Sequence, residues 1–552
     1  ACTRGTVVGP IRAGESDIQL GRDPFTGQAF SGLDLRQDIV SLNVNWNGDW
    51  GSLEYRLGFL DNASRIQQDG DYSNFAAPPG MVLSLSALQD LNYKNRVWDH
   101  ELRFNRSFGN VDVLIGAQRF SETAELVNRG QFWLRSPTSP LAGPPFNLAA
   151  APNPNFAFPV ENSRYTSYYG VYGGLTWTVS DRIKLSGEAR WNNDQITYTI
   201  PGWRSQDVTL SKLTPICLPQ FANGATFNPQ APSVPAPPPG FVAACPQTQT
   251  LKTEKVTPRL TAEWRPNDDT LVYATWSKGF KPGGFNTNEI VDLNGQRYLP
   301  ERVTAYELGL KSSLFDRRVT ANLSAYFNDY TDQQIGVQNT LPSPTGQLVT
   351  TAGILNAGSV EIYGFEADLE WRVNDNIRLD MTYAYTNAKL KEFVQGPPPG
   401  ATGVSCGTPA GQTSSDQNRA EAGNICGDFS GNFVGRTPKH ALNFGGEYRG
   451  QIGSGRDSWF IGANALYRSE RFVDESNLAT LPSYWRVGLR AGVEVGGLSV
   501  TGYIDNLFDN RTIESAQRNI DFGTPEGFAP GRSVLAYLPN PRTFGVRAGY
   551  RF

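Results

Sequence analysis

Histidine and methionine are scarce in this 552-residue chain, with two of each, and only 18% of residues are charged. Two histidines leave little room for a His-based catalytic or metal centre. HExxH, GxSxG, CxxC and GxxxxGK[ST] are all missing, which excludes the common zinc, acyl-transfer and phosphate-loop chemistries. His100 sits in the alternating run Trp98-Asp99-His100-Glu101, and His440 follows Arg436-Thr437-Pro438-Lys439 at a strand start. Both read as structural or interfacial histidines. No run of 18 apolar residues occurs, so no transmembrane helix is expected. The opening Ala1-Cys2-Thr3-Arg4-Gly5 has neither a basic start nor an apolar core, so no signal peptide is read there. The expectation is that such a leader was removed or that the chain was cut from a longer precursor. A net charge of −4 offers nothing to a nucleic acid.

What the chain does contain is glycine and aromatics: 57 Gly, 30 Phe, 22 Tyr and 12 Trp, at a mean hydropathy of −0.39. A chain that is polar on average yet rich in aromatic residues suits a transmembrane β-barrel. Its outer face must be apolar, its interior and loops polar, and its rims aromatic.

Patterning points the same way. Val40, Leu42, Val44 and Trp46 alternate with Ser41, Asn43 and Asn45, and after a turn at 47–51 Leu53, Tyr55, Leu57 and Phe59 alternate with Glu54, Arg56 and Gly58. Period 2 places successive side chains on opposite faces of a strand. The pattern returns at Val319 to Phe327, Tyr363 to Val373 and Ile377 to Tyr385. In the second of these, Glu366, Asp368 and Glu370 share the polar face with Arg372. This reads as a solvated lumen wall with Arg378 nearby, rather than a pair of catalytic carboxylates. The arms exceed the mean soluble strand of about 5–6 residues and match the ~9–11 needed to cross a bilayer. A soluble sandwich is therefore the weaker reading.

Short turns alternate with long connections near 68–93, 128–160, 201–250, 338–350 and 396–435. Long connections on one side are expected to be extracellular. They carry most of the proline and four of the five cysteines. Cys217 with Cys245, and Cys406 with Cys426, bracket two of these loops and are expected to form disulfides in an oxidising compartment. Cys2 is left over. About seventeen candidate strands can be counted, from near 36–47 to 541–552. Single-chain bacterial barrels close with an even number, and plugged transporters of this size have 22. The count therefore suggests that some five strands and the plug belong to another segment.

Four segments resemble a known family. Leu271-Val272-Tyr273-Ala274-Thr275-Trp276-Ser277-Lys278-Gly279-Phe280-Lys281-Pro282-Gly283-Gly284-Phe285-Asn286 is similar to a strand of TonB-dependent outer-membrane receptors. So are Pro300-Glu301 with Tyr306-Glu307-Leu308-Gly309-Leu310-Lys311, Asn356-Ala357-Gly358 with Tyr363-Gly364-Phe365-Glu366, and Ile504-Asp505-Asn506-Leu507-Phe508-Asp509-Asn510, in that order along the chain. The terminal strand carries Phe544, Val546, Tyr550 and Phe552 on one face and resembles the signal read by the barrel-assembly machinery. A structural role is expected for these motifs. Leu507 and Phe508 break the alternation and suggest a strand end.

The resemblance implies an all-β antiparallel barrel in a Gram-negative outer membrane, surrounded by lipid and lipopolysaccharide. It implies a receptor and active transporter for a scarce nutrient such as a ferric siderophore, which is cargo rather than cofactor. No enzyme activity, cofactor or protein-bound metal is expected. The TonB-binding box and plug are not seen, so coupling to TonB, ExbB and ExbD would run through a plug outside this chain. Residues 1–34 are expected to be an extracellular segment and 35–552 the barrel, with Cys2 facing a cysteine of the missing portion. Trp133, Phe221, Phe227, Tyr298 and Phe433 are the loop aromatics expected to meet the ligand. Alternatives are a passive porin-like channel, and an anchor for a surface lipoprotein or other assembly.

Overall fold

Alternating sequences of this kind bury nothing on their own. They become stable when each backbone N–H and C=O is paired with a neighbouring strand, which in hydrocarbon is the sole alternative to an α-helix. In the computed structural model the chain forms one 17-stranded antiparallel sheet. The structure describes residues 32–69, 85–134, 156–200, 203–206, 213–216, 218–221, 241–244, 247–286, 297–342, 348–395, 427–453, 455, 457–521 and 529–551. All five cysteines, Phe227 and Phe552 lie outside them.

The wall strands run β1 (Gly32–Gly48), β2 (Gly51–Asp69), β3 (Leu85–Phe108), β4 (Val111–Leu134), β5 (Phe156–Ser180) and β6 (Ile183–Ile200). They continue with β7 (Gln247–Asn267), β8 (Thr270–Lys281), β9 (Glu301–Leu314), β10 (Val319–Pro342), β11 (Leu348–Arg372) and β12 (Ile377–Glu392). The last five are β13 (His440–Gln451), β14 (Ser458–Arg468), β15 (Tyr484–Val495), β16 (Leu498–Asp505) and β17 (Thr543–Tyr550). Each pairs with its neighbours in sequence, a simple meander. Among the described residues β1 pairs only with β2, and β17 only with β16.

Register separates the two faces. Across β2 to β5, Leu53, Phe104 and Ile115 are paired in a row, as are Tyr55, Leu102, Ala117 and Val171. These rows form the outer apolar face. The interleaved rows, such as Glu54 with Arg103 and Glu101 with Gln118, face the lumen.

The expected loops near 68–93, 128–160 and 338–350 are shorter than the sequence suggests. β3 begins at Leu85, β4 runs to Leu134 and β10 to Pro342. Above the membrane both faces of a strand meet water, so the alternation that reveals a strand in sequence is lost while the backbone ladder continues. The tight turns fall where expected, and the Ile452 N–H donating to the Asp457 carbonyl (2.9 Å) closes β13 onto β14 at a place the sequence did not reveal. At Phe315-Asp316-Arg317 three consecutive non-glycine residues take positive φ (54°, 54° and 62°), each at a cost of roughly 1–2 kcal/mol.

On the lumen face, glycine and tyrosine meet directly across strands. Gly116 lies opposite Tyr172, Gly309 opposite Tyr273, Gly364 opposite Tyr326 and Gly545 opposite Tyr503. In each case the phenol ring lies where a Cβ on the glycine would stand. The ring covers backbone that glycine would otherwise leave bare. Gly309→Val is expected to destabilise the barrel by about 1–3 kcal/mol. Pairing it with Tyr273→Ala should recover part of the loss, because the atoms nearest to that Cβ all belong to Tyr273. Urea unfolding of the single and double variants in lipid vesicles measures both.

Candidate ligand passage and extracellular mouth

The lumen wall is a mosaic of matched charges. Glu101 accepts hydrogen bonds from the Tyr172 hydroxyl (2.6 Å) and pairs with Arg103 (2.9 Å), whose Nε also donates to Tyr172 (3.0 Å). Asp99 accepts from Gln118 at 2.8 Å, and Gln118 in turn accepts from Arg190. The Arg190 guanidinium lies 5.1 Å from both the Tyr168 and the Tyr172 ring centres. Arg164 holds Glu122 at 2.7 Å. Across the sheet, Glu447 joins Arg449 (3.3 Å) and Arg490 (3.1 Å), and Glu370 joins Arg372 (3.4 Å) and Arg378 (3.1 Å). These are partly solvated pairs, each contributing about 0–1 kcal/mol. Their effect is a polar wall in which these carboxylates face guanidinium groups. The carboxylates at 366–370 therefore serve as wall, and among the described residues no group of three or more His, Cys, Asp or Glu could hold a metal.

Both histidines belong to the outer face. The Tyr55 hydroxyl lies 2.9 Å from His100 Nδ1, and the imidazole stacks on Trp98 with its plane tilted 9°. His440 repeats this with Tyr383 (2.9 Å) and the Tyr385 ring. Each imidazole is held in a ring of aromatics, as an interface position requires.

The motifs that resemble the receptor family converge on one polar clamp above the wall. Asn286 grips the Ile354 backbone twice, accepting from its N–H (2.6 Å) and donating to its C=O (2.9 Å). Asn356 accepts from the Leu299 N–H (2.7 Å) and donates to the carbonyls of Leu299 (2.9 Å) and Asp332 (2.7 Å). Gln334 donates to the carbonyls of Pro282 and Leu299, and its N–H reaches Glu301 (2.8 Å). Three segments far apart in sequence thereby fasten the upper ends of β8 to β11. Beneath the clamp, Ile335, Ala357, Val360, Leu390, Phe393 and Phe429 form a dry cluster. In the near-terminal motif, Asn506 adopts φ 52° and donates to the carbonyls of Asn510 and Asn540, ending β16 in a tight turn.

The expected ligand contacts are dispersed. Tyr298 is half-buried across the short hairpin with Gly284, where burial raises its hydroxyl pKa above 10. Phe433 stacks on Phe472 at 6.0 Å between the ammonium groups of Lys439 (4.1 Å) and Lys389 (5.1 Å). Trp133 and Phe221 are placed by their backbones, in β4 and in the hairpin of 218–221 with 241–244. Phe544, Val546 and Tyr550 share one exposed face of β17. Sequence reasoning missed the clamp asparagines, whose signal is Asn, Gly and Pro together at strand ends. It also missed Asn432 and Asn477, which bind the backbones of 475–476 and 433 at the mouth.

Asn356→Ala is expected to strip three hydrogen bonds and leave the Leu299 N–H and the Asp332 carbonyl without their side-chain partner, while Gln334 still donates to the Leu299 carbonyl, a cost of about 2–4 kcal/mol. Hydrogen exchange should then quicken at 299–302 and 332–336 while the lower wall stays protected. In the mouth, burial pushes the Glu475 carboxyl above its ordinary 4.5, outweighing the backbone N–H groups it accepts from. Its ionised form is the disfavoured one, so this contribution to stability is fullest below pH 4.5 and falls as pH rises through the raised value. Glu475→Gln should raise protection of 474–477 at pH 7, with the gain vanishing at low pH.

A family model described as TonB dependent receptor-like, beta-barrel, matches residues 4–507. The metal-pseudopaline receptor CntO of Pseudomonas aeruginosa is 26% identical over 281 residues, 50% of this chain and 32% of the relative. The pesticin receptor of Yersinia enterocolitica is 22% identical over 386 residues, 69% of this chain and 43% of the relative. The chain thus spans well under half the length of these curated relatives. The solved ferric yersiniabactin uptake receptor FyuA from Yersinia pestis shares the fold with a TM-score of 0.62 at 15% identity, over 94% of this chain and 61% of that one. With the strand meander, the two-faced wall and the clamp motifs in place, the chain belongs to the TonB-dependent receptor β-barrel family, whose members are receptors and transporters rather than enzymes, and it is an integral barrel of the Gram-negative outer membrane.

Proposed function

We propose that this barrel is the conduit of a TonB-dependent active transporter that takes up a scarce metal chelate, such as a ferric siderophore. The observation that carries the reading is the family match along most of the wall, joined to a lumen lined by paired charges. The relatives' names support the cargo class: one is a metal-pseudopaline receptor and a solved neighbour takes up ferric yersiniabactin. The metal is cargo, held by its chelator. The wall contributes a polar path, and the mouth contributes aromatic and cationic surface around Phe433, Lys389 and Lys439.

In this reading a plug from outside this chain gates the lumen, and TonB with ExbB and ExbD supplies the energy. The cysteine pairs Cys217–Cys245 and Cys406–Cys426 restrain the extracellular loops, and Cys2 meets the missing portion. Phe544, Val546, Tyr550 and Phe552 form the assembly signal. Trp133, Phe221, Phe227 and Tyr298 remain proposed contacts alongside Phe433.

Uptake of radiolabelled iron chelates by cells producing the protein, with and without TonB, tests the function. Accumulation of at least one chelate should require both the protein and TonB. Solute entry that persists without TonB would overturn active transport in favour of a passive channel. Phe433→Ala should weaken chelate binding at the surface by several-fold, as loss of a central aromatic contact does.

A further inference from the structure

The outer face carries a feature that neither transport nor barrel closure uses. Cross-strand register aligns Leu260, Trp276, Tyr306 and Phe327 in one row over β7 to β10, and Ala262, Ala274, Leu308 and Ala325 in the row beneath. The row below that again has bulk, with Trp264, Val272, Leu310 and Leu323. The three alanines, with Leu308 between them and the aromatic ridge above, line a trough of about 770 Å³ that Leu185 bounds at one end. Across four strands it is roughly 14 Å long.

Above the aromatic ridge stands Lys278, exposed, its Nζ 5.8 Å from the Trp276 ring centre. Among the described residues no carboxylate lies within ion-pair distance of it. Asp329 is on the same row but two strands away, facing Thr304. Arg302, one row higher, is already held by Asp332 at 2.6 Å. Eight residues of tilted strand put Lys278 roughly 20 Å above the short turn, at the edge of the apolar band on the side of the long connections.

The geometry points to a site for a single anionic membrane lipid of the outer leaflet, with one acyl chain lying in the alanine trough and its phosphate on Lys278. Within a bilayer the apolar trough alone is not attractive, since lipid tails surround the whole barrel. Close packing and a matching charge are what single out one lipid. A long flexible ammonium at the hydrocarbon edge, fixed against an indole, supplies that charge where an unpaired lysine would otherwise have no partner. Trp276 and Lys278 belong to the strand motif whose inward residues build the lumen, so one segment serves both faces.

The test is native mass spectrometry of the protein isolated from outer membranes, delipidated in detergent and titrated with dimyristoyl phosphatidylglycerol or dimyristoyl phosphatidylcholine. The protein should retain one phosphatidylglycerol about five-fold more strongly than phosphatidylcholine, near the effect of one basic residue at an anionic surface. Lys278→Gln should abolish that preference. Ala274→Leu, or Ala325→Leu if the first folds poorly, should weaken both lipids alike and keep the preference. Equal retention of the two lipids by the unaltered protein would overturn the proposal. So would a preference untouched by Lys278→Gln, or trough-filling variants that bind as before.

Discussion

The structure depends on the continuous ladder of antiparallel backbone hydrogen bonds. A strand exposed to hydrocarbon cannot find water for its N–H and C=O groups, so each must be met by a neighbour. From β1 to β17 every adjacent pair supplies this, with register running unbroken over most of each strand. Side chains decide little about whether the sheet forms. They decide which face meets lipid and which meets water.

Once the ladder is set, period 2 produces two chemically separate surfaces from one chain. Outward rows are Leu, Val, Trp, Phe and Tyr, and inward rows are Glu, Arg, Tyr, Asn and Gly. Pairs such as Glu101 with Arg103 and Glu447 with Arg490 cost little because the lumen is solvated. The inward glycines Gly116, Gly309, Gly364 and Gly545 are covered by tyrosines from the next strand.

Above the membrane the ladder alone no longer suffices, because water competes for every backbone group. Side-chain amides take over. Asn286, Asn356 and Gln334 each hold two or more backbone groups of a distant segment, and Asn432 and Asn477 do the same between the β12–β13 and β14–β15 connections. The segments that mark the family in sequence are thus the ones that set the shape of the mouth. Their residues bind backbone.

How much could be read beforehand divides along the same physical line. Alternation at 40–59, 319–327 and 363–385, short polar turns and aromatic-rich composition determined the all-β wall, its faces and its strand number, because lipid on one side and water on the other impose period 2 directly on the residues. The charged lumen role of Glu370 with Arg378 was legible for the same reason. Strand ends above the membrane were not, since the alternation fades there while pairing continues. The partners of Asn356 and Asn286, the tyrosines over Gly116, Gly309, Gly364 and Gly545, and the alanine row between two ridges depend on register between strands. Register sets which side chains become neighbours across the sheet, and no single strand contains that information. Only the folded sheet decided it.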